Sequence, residues 1–83
     1  MNKDDYIPID CERYSRYELA IIRHNRLRVG WRDPDGSCHL DCLEPFDLQT
    51  RNHAEYLLAS TSDGHKITLR LDRIIDAQEL IAV

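Results

Sequence analysis

The sequence lacks most of the features that mark an enzyme or an exported protein. It has only three glycines and three prolines, and it contains no G-x-S-x-G, glycine-rich phosphate loop or H-E-x-x-H motif. No apolar run reaches the roughly 18 residues that span a bilayer, and residues 1–5 lack the apolar core of a signal peptide. We therefore expect a cytoplasmic protein that is not an enzyme and needs no cofactor.

Cysteine is scarce as well, and its number argues against a disulfide framework. The three cysteines are an odd number, and a cytoplasmic chain keeps its thiols reduced. Cys38, His39 and Cys42 suggest a zinc site, with further ligands available at Cys11, His24, His53 and His65. On a strand, however, Cys38 and Cys42 lie about 13 Å apart, too far for one ion. We therefore expect buried thiols that pack as apolar side chains.

Length and composition favour one small folded domain. A chain of 83 residues has room for a single core, with a free energy of unfolding of about 4–12 kcal/mol. The chain is 42% hydrophobic and 31% charged, which is typical of a folded protein, and we expect disorder only over residues 1–5. The net charge of −4 repels nucleic-acid phosphates and favours a basic protein partner.

A helical repeat occupies the first third of the chain. Aromatic and apolar side chains recur at helical spacing, at Tyr14, Tyr17, Ile21 and His24. Two starting points are open: Asp10 can cap a helix that begins at Cys11, or Ser15 and Glu18 can form the capping box of a shorter one. We predict a helix over residues 12–23.

The rest of the sequence alternates with the period of a strand. Leu27, Val29 and Trp31 define a half-buried strand, and the turn at 33–36 leads to a return strand. On that return strand we expect Cys38, Leu40 and Cys42 on the core face, with pairing ended at Pro45. The predicted strands cover residues 26–32, 38–42, 54–60, 66–71 and 74 onward, and residues 45–53 form a connection.

Five short strands and one helix predict a mainly β fold. Strands with one apolar face each must curl around a common core, and the helix can cover one open end. A small bent five-stranded barrel with an N-terminal helix satisfies both requirements. Barrels of this kind can bind single-stranded RNA, and basic residues do line one strand, at Arg26, Arg28 and Arg32. An RNA-binding module is therefore an alternative function.

The segment from Asp4 to Glu18 has the composition of a protein interface. Its acidic residues are interspersed with Tyr6, Tyr14 and Tyr17, and tyrosine offers contact area at low entropic cost. Such a surface suits a basic partner. The alternative is that the tyrosines simply cover the barrel. The acidic residues are Asp4, Asp5, Asp10, Glu12 and Glu18.

Several motifs in fixed order resemble the Rho-binding antiterminator family, also called Rof. They are Tyr6-x-Pro8-Ile9-x-Cys11, Tyr14, Glu18-Leu19-Ala20, Asp35-Gly36, Asp47-Leu48, Glu55-Tyr56-Leu57 and Arg70-Leu71-Asp72-Arg73-Ile74. The resemblance implies a monomeric Sm-like barrel that binds the RNA-binding N-terminal domain of transcription termination factor Rho. It thereby implies that RNA is kept from Rho and that termination is inhibited.

The resemblance also points to particular residues for partner binding. One group lies at the start of the predicted helix and along it, at Asp10, Glu12, Tyr14 and Glu18, beside Tyr17 of the acid-and-tyrosine segment. The second group is the loop of Arg51, Asn52 and His53 that leads into Glu55. We expect no metal and no direct contact with nucleic acid in this mode of action.

Overall fold

The computed structural model describes residues 5–81. Its elements are the helix α1 (Cys11–Ile22), the strands β1 (Arg26–Arg32), β2 (Cys38–Arg51), β3 (Ala54–Ser60) and β4 (Lys66–Arg70), a 3-10 turn (Leu71–Arg73) and the strand β5 (Ile74–Leu80). The disorder expected over residues 1–5 concerns mainly residues 1–4, which lie outside the described residues. Among the helices of residues 5–81, none is long and apolar enough to cross a membrane.

The helix begins where the first of the two predicted starts places it. Asp10 has an extended backbone, and its side chain accepts a hydrogen bond from the Arg13 backbone N–H at 2.8 Å. This is N-cap geometry, which satisfies a donor that the first turn leaves unpaired. Tyr17 and Ala20 are the buried residues of the helix. The helix ends at Ile22, before His24 turns to a positive φ of 56°.

The pairing of β1 with β2 reverses the predicted orientation of the return strand. The register sets Leu27 opposite Leu43 and Trp31 opposite His39, and residues directly opposite in antiparallel strands share a face. Because Leu27 faces the core, Leu43 faces it too, and both are buried. The prediction that Cys38, Leu40 and Cys42 face the core was therefore wrong. They lie opposite Arg32, Gly30 and Arg28 on the outer face.

The strand β2 does not end at Pro45. Its first half pairs with β1, and its second half pairs with β3 from Glu44 to Arg51. The register shifts between Pro45 and Asp47, and this bulge lets the strand bend without its proline blocking the ladder. The predicted connection over residues 45–53 was therefore wrong. Most of that segment is strand, and only a two-residue turn separates β2 from β3.

The five strands form one bent sheet in the order β4-β3-β2-β1-β5. This confirms a mainly β fold with one N-terminal helix, although no backbone pairing joins β4 to β5 within residues 5–81. The core combines residues from α1 and from all five strands with Leu71 of the 3-10 turn. Its largest fully buried side chains are Leu27, Val29, Leu43, Leu57 and Leu71.

The turn between β2 and β3 offers a test of local backbone strain. Asn52 and His53 have φ values of 49° and 64°, as a two-residue hairpin turn of this hand requires, and glycine suits the second position better than histidine. We expect His53→Gly to raise the free energy of unfolding by about 0.5–1 kcal/mol, measured by urea denaturation. The same change at His65, whose φ is negative, should lower the free energy of unfolding instead. Equal effects of the two substitutions would contradict backbone strain at His53.

Candidate functional site

A groove between α1 and β2 brings acidic, aromatic and apolar side chains together. It has a volume of about 280 Å³ and is lined by Tyr14, Glu18, Ile21, Ile22, Asp47 and Leu48. We call it the acid-tyrosine groove. Ile21 and Leu48 are half-buried and pack against the core, whereas Glu18 and Asp47 are exposed. The groove thus has an apolar floor and carboxylates at its rim.

Tyr14 is surrounded by negative charge. Its pKa is raised above the ordinary value, first by partial burial and then by the carboxylates of Glu55, Glu18 and Asp47. These three acids come from α1, β2 and β3, so the fold gathers charges that are far apart in the sequence. A cluster of carboxylates around a phenol suits a partner with lysine or arginine side chains.

Glu55 lies deeper than the other acids and has a fixed hydrogen-bond donor. It is half-buried on β3, and its Oε1 accepts a hydrogen bond from the Tyr6 hydroxyl at 3.1 Å. The pKa of Tyr6 is raised to about 12, chiefly by burial and then by its bond to Glu55. The tyrosine therefore stays protonated near neutral pH and keeps donating to the carboxylate.

The remaining helix residues named by the sequence lie in different settings. Asp10 is exposed and caps α1. Glu12 is exposed and forms an ion pair with Arg16 at 3.0 Å. Tyr17 is only 2% exposed, so its side chain packs in the core, as the alternative interpretation of the tyrosines has it, and does not form part of the surface.

The second predicted group lies at the tip of the β2–β3 hairpin. Arg51, Asn52 and His53 are all exposed there, and the Arg51 guanidinium lies 4.7 Å from the centre of the Tyr56 ring. Glu55 is paired with Thr50 further down the hairpin. The two predicted groups are therefore linked through Glu55, whose carboxylate contributes to the negative charge that acts on Tyr14.

Four residues of the groove were not chosen from the sequence, namely Ile21 and Ile22 on α1 and Asp47 and Leu48 on β2. Asp47 and Leu48 lie in the segment predicted to be a connection, although both belong to a motif that resembles the Rof family. The signal that could have found them is strand alternation through Leu48 and Thr50 into the hairpin turn.

The side chains that suggest a zinc site in the sequence do not converge. Within residues 5–81 no group of three or more histidine, cysteine or acidic side chains is placed to hold a metal ion. Cys11 and Cys38 are exposed and Cys42 is half-buried, and all three are free thiols, so the prediction that the thiols are buried was wrong. Zinc analysis of the purified protein after a chelator wash remains the direct measurement.

Comparisons with known proteins place the chain in a family. Residues 13–79 match the WYL domain, which the sequence analysis did not predict. Protein rof of Escherichia coli (strain K12) is 34% identical over 71 residues, or 86% of this chain and 79% of that protein. Protein rof of Shigella flexneri gives the same values.

A solved structure supports the fold. Proteasome accessory factor B/C of Arthrobacter aurescens superposes with a TM-score of 0.77 at 16% sequence identity, over 92% of this chain. The chain covers only 12% of that protein, so this likeness shows the fold alone. The match to the WYL domain and the identity to both Rof proteins establish that the chain belongs to the Rof family and consists largely of a WYL domain.

Proposed function

We propose that this chain binds the RNA-binding N-terminal domain of transcription termination factor Rho, keeps transcript RNA from it and so inhibits Rho-dependent termination. Membership of the Rof family supports Rho as the partner, since the sequence motifs resemble Rho-binding antiterminators. The observation that carries the proposal is the groove that brings Glu18 and Asp47 together with Tyr14, where the Glu55 carboxylate adds to the negative charge that acts on the phenol.

Electrostatic complementarity supports this choice of partner surface. A protein surface that binds RNA presents lysine and arginine to the phosphates, and those same side chains are attracted to the carboxylates at the rim of the acid-tyrosine groove. The net charge of −4 adds long-range attraction to such a surface and repulsion from RNA itself. The groove and the transcript therefore compete for the same kind of cationic site.

The proposed action is steric and electrostatic, and no covalent bond is made or broken. We propose accordingly that the protein is not an enzyme, that it acts as a monomer in the cytoplasm, where Rho meets transcripts, and that it needs no cofactor. Occupation of the RNA-binding surface by a folded domain is sufficient for inhibition.

The direct test combines binding with transcription. We expect the purified protein to bind the isolated N-terminal domain of Rho in isothermal titration calorimetry, and to restore read-through in a reconstituted termination reaction. Labelled RNA bound to the Rho domain should be displaced as the protein is added. Absence of both binding and read-through would refute the proposal.

One observation favours a second candidate, an RNA-binding module. Arg26, Arg28 and Arg32 are exposed along the outer face of β1, where a single strand of RNA could lie across them. Titration of labelled single-stranded RNA without Rho, at low and at moderate salt, separates the two functions. Tight and strongly salt-dependent binding would favour the RNA-binding module. We expect no such binding of RNA in the absence of Rho.

A further inference from the structure

Two motifs that are far apart in the sequence contact each other in the fold, although the proposed function uses neither. One is the N-terminal stretch around Tyr6, and the other is Arg70-Leu71-Asp72 at the end of β4. Residues 5–9, which we call the N-terminal strap, run beside the second motif and reach Glu55 on β3. The contacts link positions 49 and 65 residues apart in the sequence.

The backbone of the strap is anchored by an ion pair that is shielded from solvent. The Ile7 backbone N–H donates to Asp72 Oδ2 at 3.0 Å. Arg70 donates to both oxygens of Asp72, at 2.7 Å from Nε and 3.0 Å from its terminal nitrogen. The two side chains are only 16% and 6% exposed, so water competes little for these bonds.

The side chains of the strap add a second set of contacts. Tyr6 and Ile9 pack against the core, and the Arg70 guanidinium carbon lies 6.0 Å from the centre of the Tyr6 ring. The position of the Tyr6 ring is therefore set by packing and by Arg70, independently of its hydroxyl. Its hydroxyl, in turn, reaches the Glu55 carboxylate at 3.1 Å.

We propose that Tyr6 is a positioning residue, which holds the carboxylate of Glu55, a predicted partner-binding residue, in the orientation that the partner meets. A free glutamate side chain populates several rotamers, and a bond from a fixed donor removes the entropy that binding would otherwise cost. Tyr6 acts through Glu55 and does not itself contact the partner. This inference rests on the proposed function, since it concerns the affinity for that same partner.

The first test uses the smallest change that removes the bond. Tyr6→Phe keeps the ring and loses only the hydroxyl, and we expect it to weaken binding to the N-terminal domain of Rho about five-fold, as expected for loss of a bond to a charged acceptor. Tyr56→Phe, at a tyrosine outside the groove, is the matched control and should bind like the wild type. Unchanged binding of Tyr6→Phe would overturn the inference and leave the proposed function intact.

A double-mutant cycle separates positioning from direct contact. Glu55→Ala removes the acceptor, so adding Tyr6→Phe to it should weaken binding no further. If Tyr6→Phe costs the same five-fold in both backgrounds, then Tyr6 meets the partner itself, and the positioning role is refuted. Circular dichroism melting of each variant shows that the proteins compared are folded.

A readout without Rho tests the bond and remains available if Tyr6→Phe does not fold. After burial, the Glu55 carboxylate raises the pKa of Tyr6, so Glu55→Gln should move the alkaline titration of Tyr6 downward from about 12. Because Glu55 also raises the pKa of Tyr14, the titration is followed by NMR of the Tyr6 ring itself. An unmoved titration would overturn the inference. A moved titration in a protein that fails to bind Rho would instead refute the proposed function while supporting the link between Tyr6 and Glu55.

Discussion

Leu43→Ala should lower the free energy of unfolding by about 3 kcal/mol, whereas Leu40→Ala on the same strand should cost less than about 1 kcal/mol. Leu43 is fully buried and Leu40 is 64% exposed. Truncation of Leu43 loses the transfer free energy of the buried atoms and leaves a cavity that the surrounding strands fill only in part. Truncation of Leu40 removes atoms that already contact water.

The same substitution three residues away is the internal control for this comparison. Because a domain of this size has about 4–12 kcal/mol of stability, the Leu43 variant should show a marked fall in the urea midpoint with an unchanged slope. The Leu40 variant should nearly superpose on the wild type. A larger loss at Leu40 than at Leu43 would mean that β2 has the orientation predicted from the sequence.

The orientation of β2 shows why the sequence pattern alone does not determine which face of a strand is buried. On β1 the apolar residues alternate with arginines, at Arg26 and Arg28 among others, so only one face can be the core. On β2 both sets of alternate residues contain apolar side chains, Leu40 in one and Leu43 in the other. Only the cross-strand register with β1 decides between them, and register depends on contacts that are distant in sequence.

The extent of β2 was mispredicted for a related reason. Proline lacks a backbone donor, which makes Pro45 a sound local signal for the end of a strand. The structure instead places it at a bulge, where β2 bends and exchanges β1 for β3 as its partner. By contrast, the helix could be predicted closely, because the Asp10 cap and the spacing of Tyr14 and Tyr17 act within a few residues.

The candidate site likewise contains residues that local sequence motifs identify and residues that only the tertiary fold brings to the site. Tyr14, Glu18 and Glu55 could be named from the sequence, because they belong to motifs that resemble the Rof family. Asp47 could not be placed beside them, since that requires β2 to continue past its bulge and to pass under the helix. The hydrogen bond from Tyr6 to Glu55 joins residues that are 49 positions apart in the sequence, and no local pattern predicts such a contact.

Reversing the charge at the groove rim should weaken Rho binding more than the same reversal elsewhere. We expect Glu18→Lys and Asp47→Lys each to reduce affinity for the N-terminal domain of Rho about ten-fold, or about 1.4 kcal/mol, because each replaces attraction with repulsion at the proposed contact. Asp76→Lys, at an exposed position on β5, makes the same change in net charge and should cost less than about three-fold. Read-through in the termination reaction should fall in the same order.

Comparison of these variants at two salt concentrations distinguishes a local contact from a general effect of charge. Long-range attraction is screened by salt, so the small loss in Asp76→Lys should vanish as ionic strength rises. The losses in Glu18→Lys and Asp47→Lys should persist in part, since carboxylates in contact with the partner are less screened than distant ones. Equal losses in all three variants would place the interface outside the acid-tyrosine groove, because net charge alone would then account for the binding.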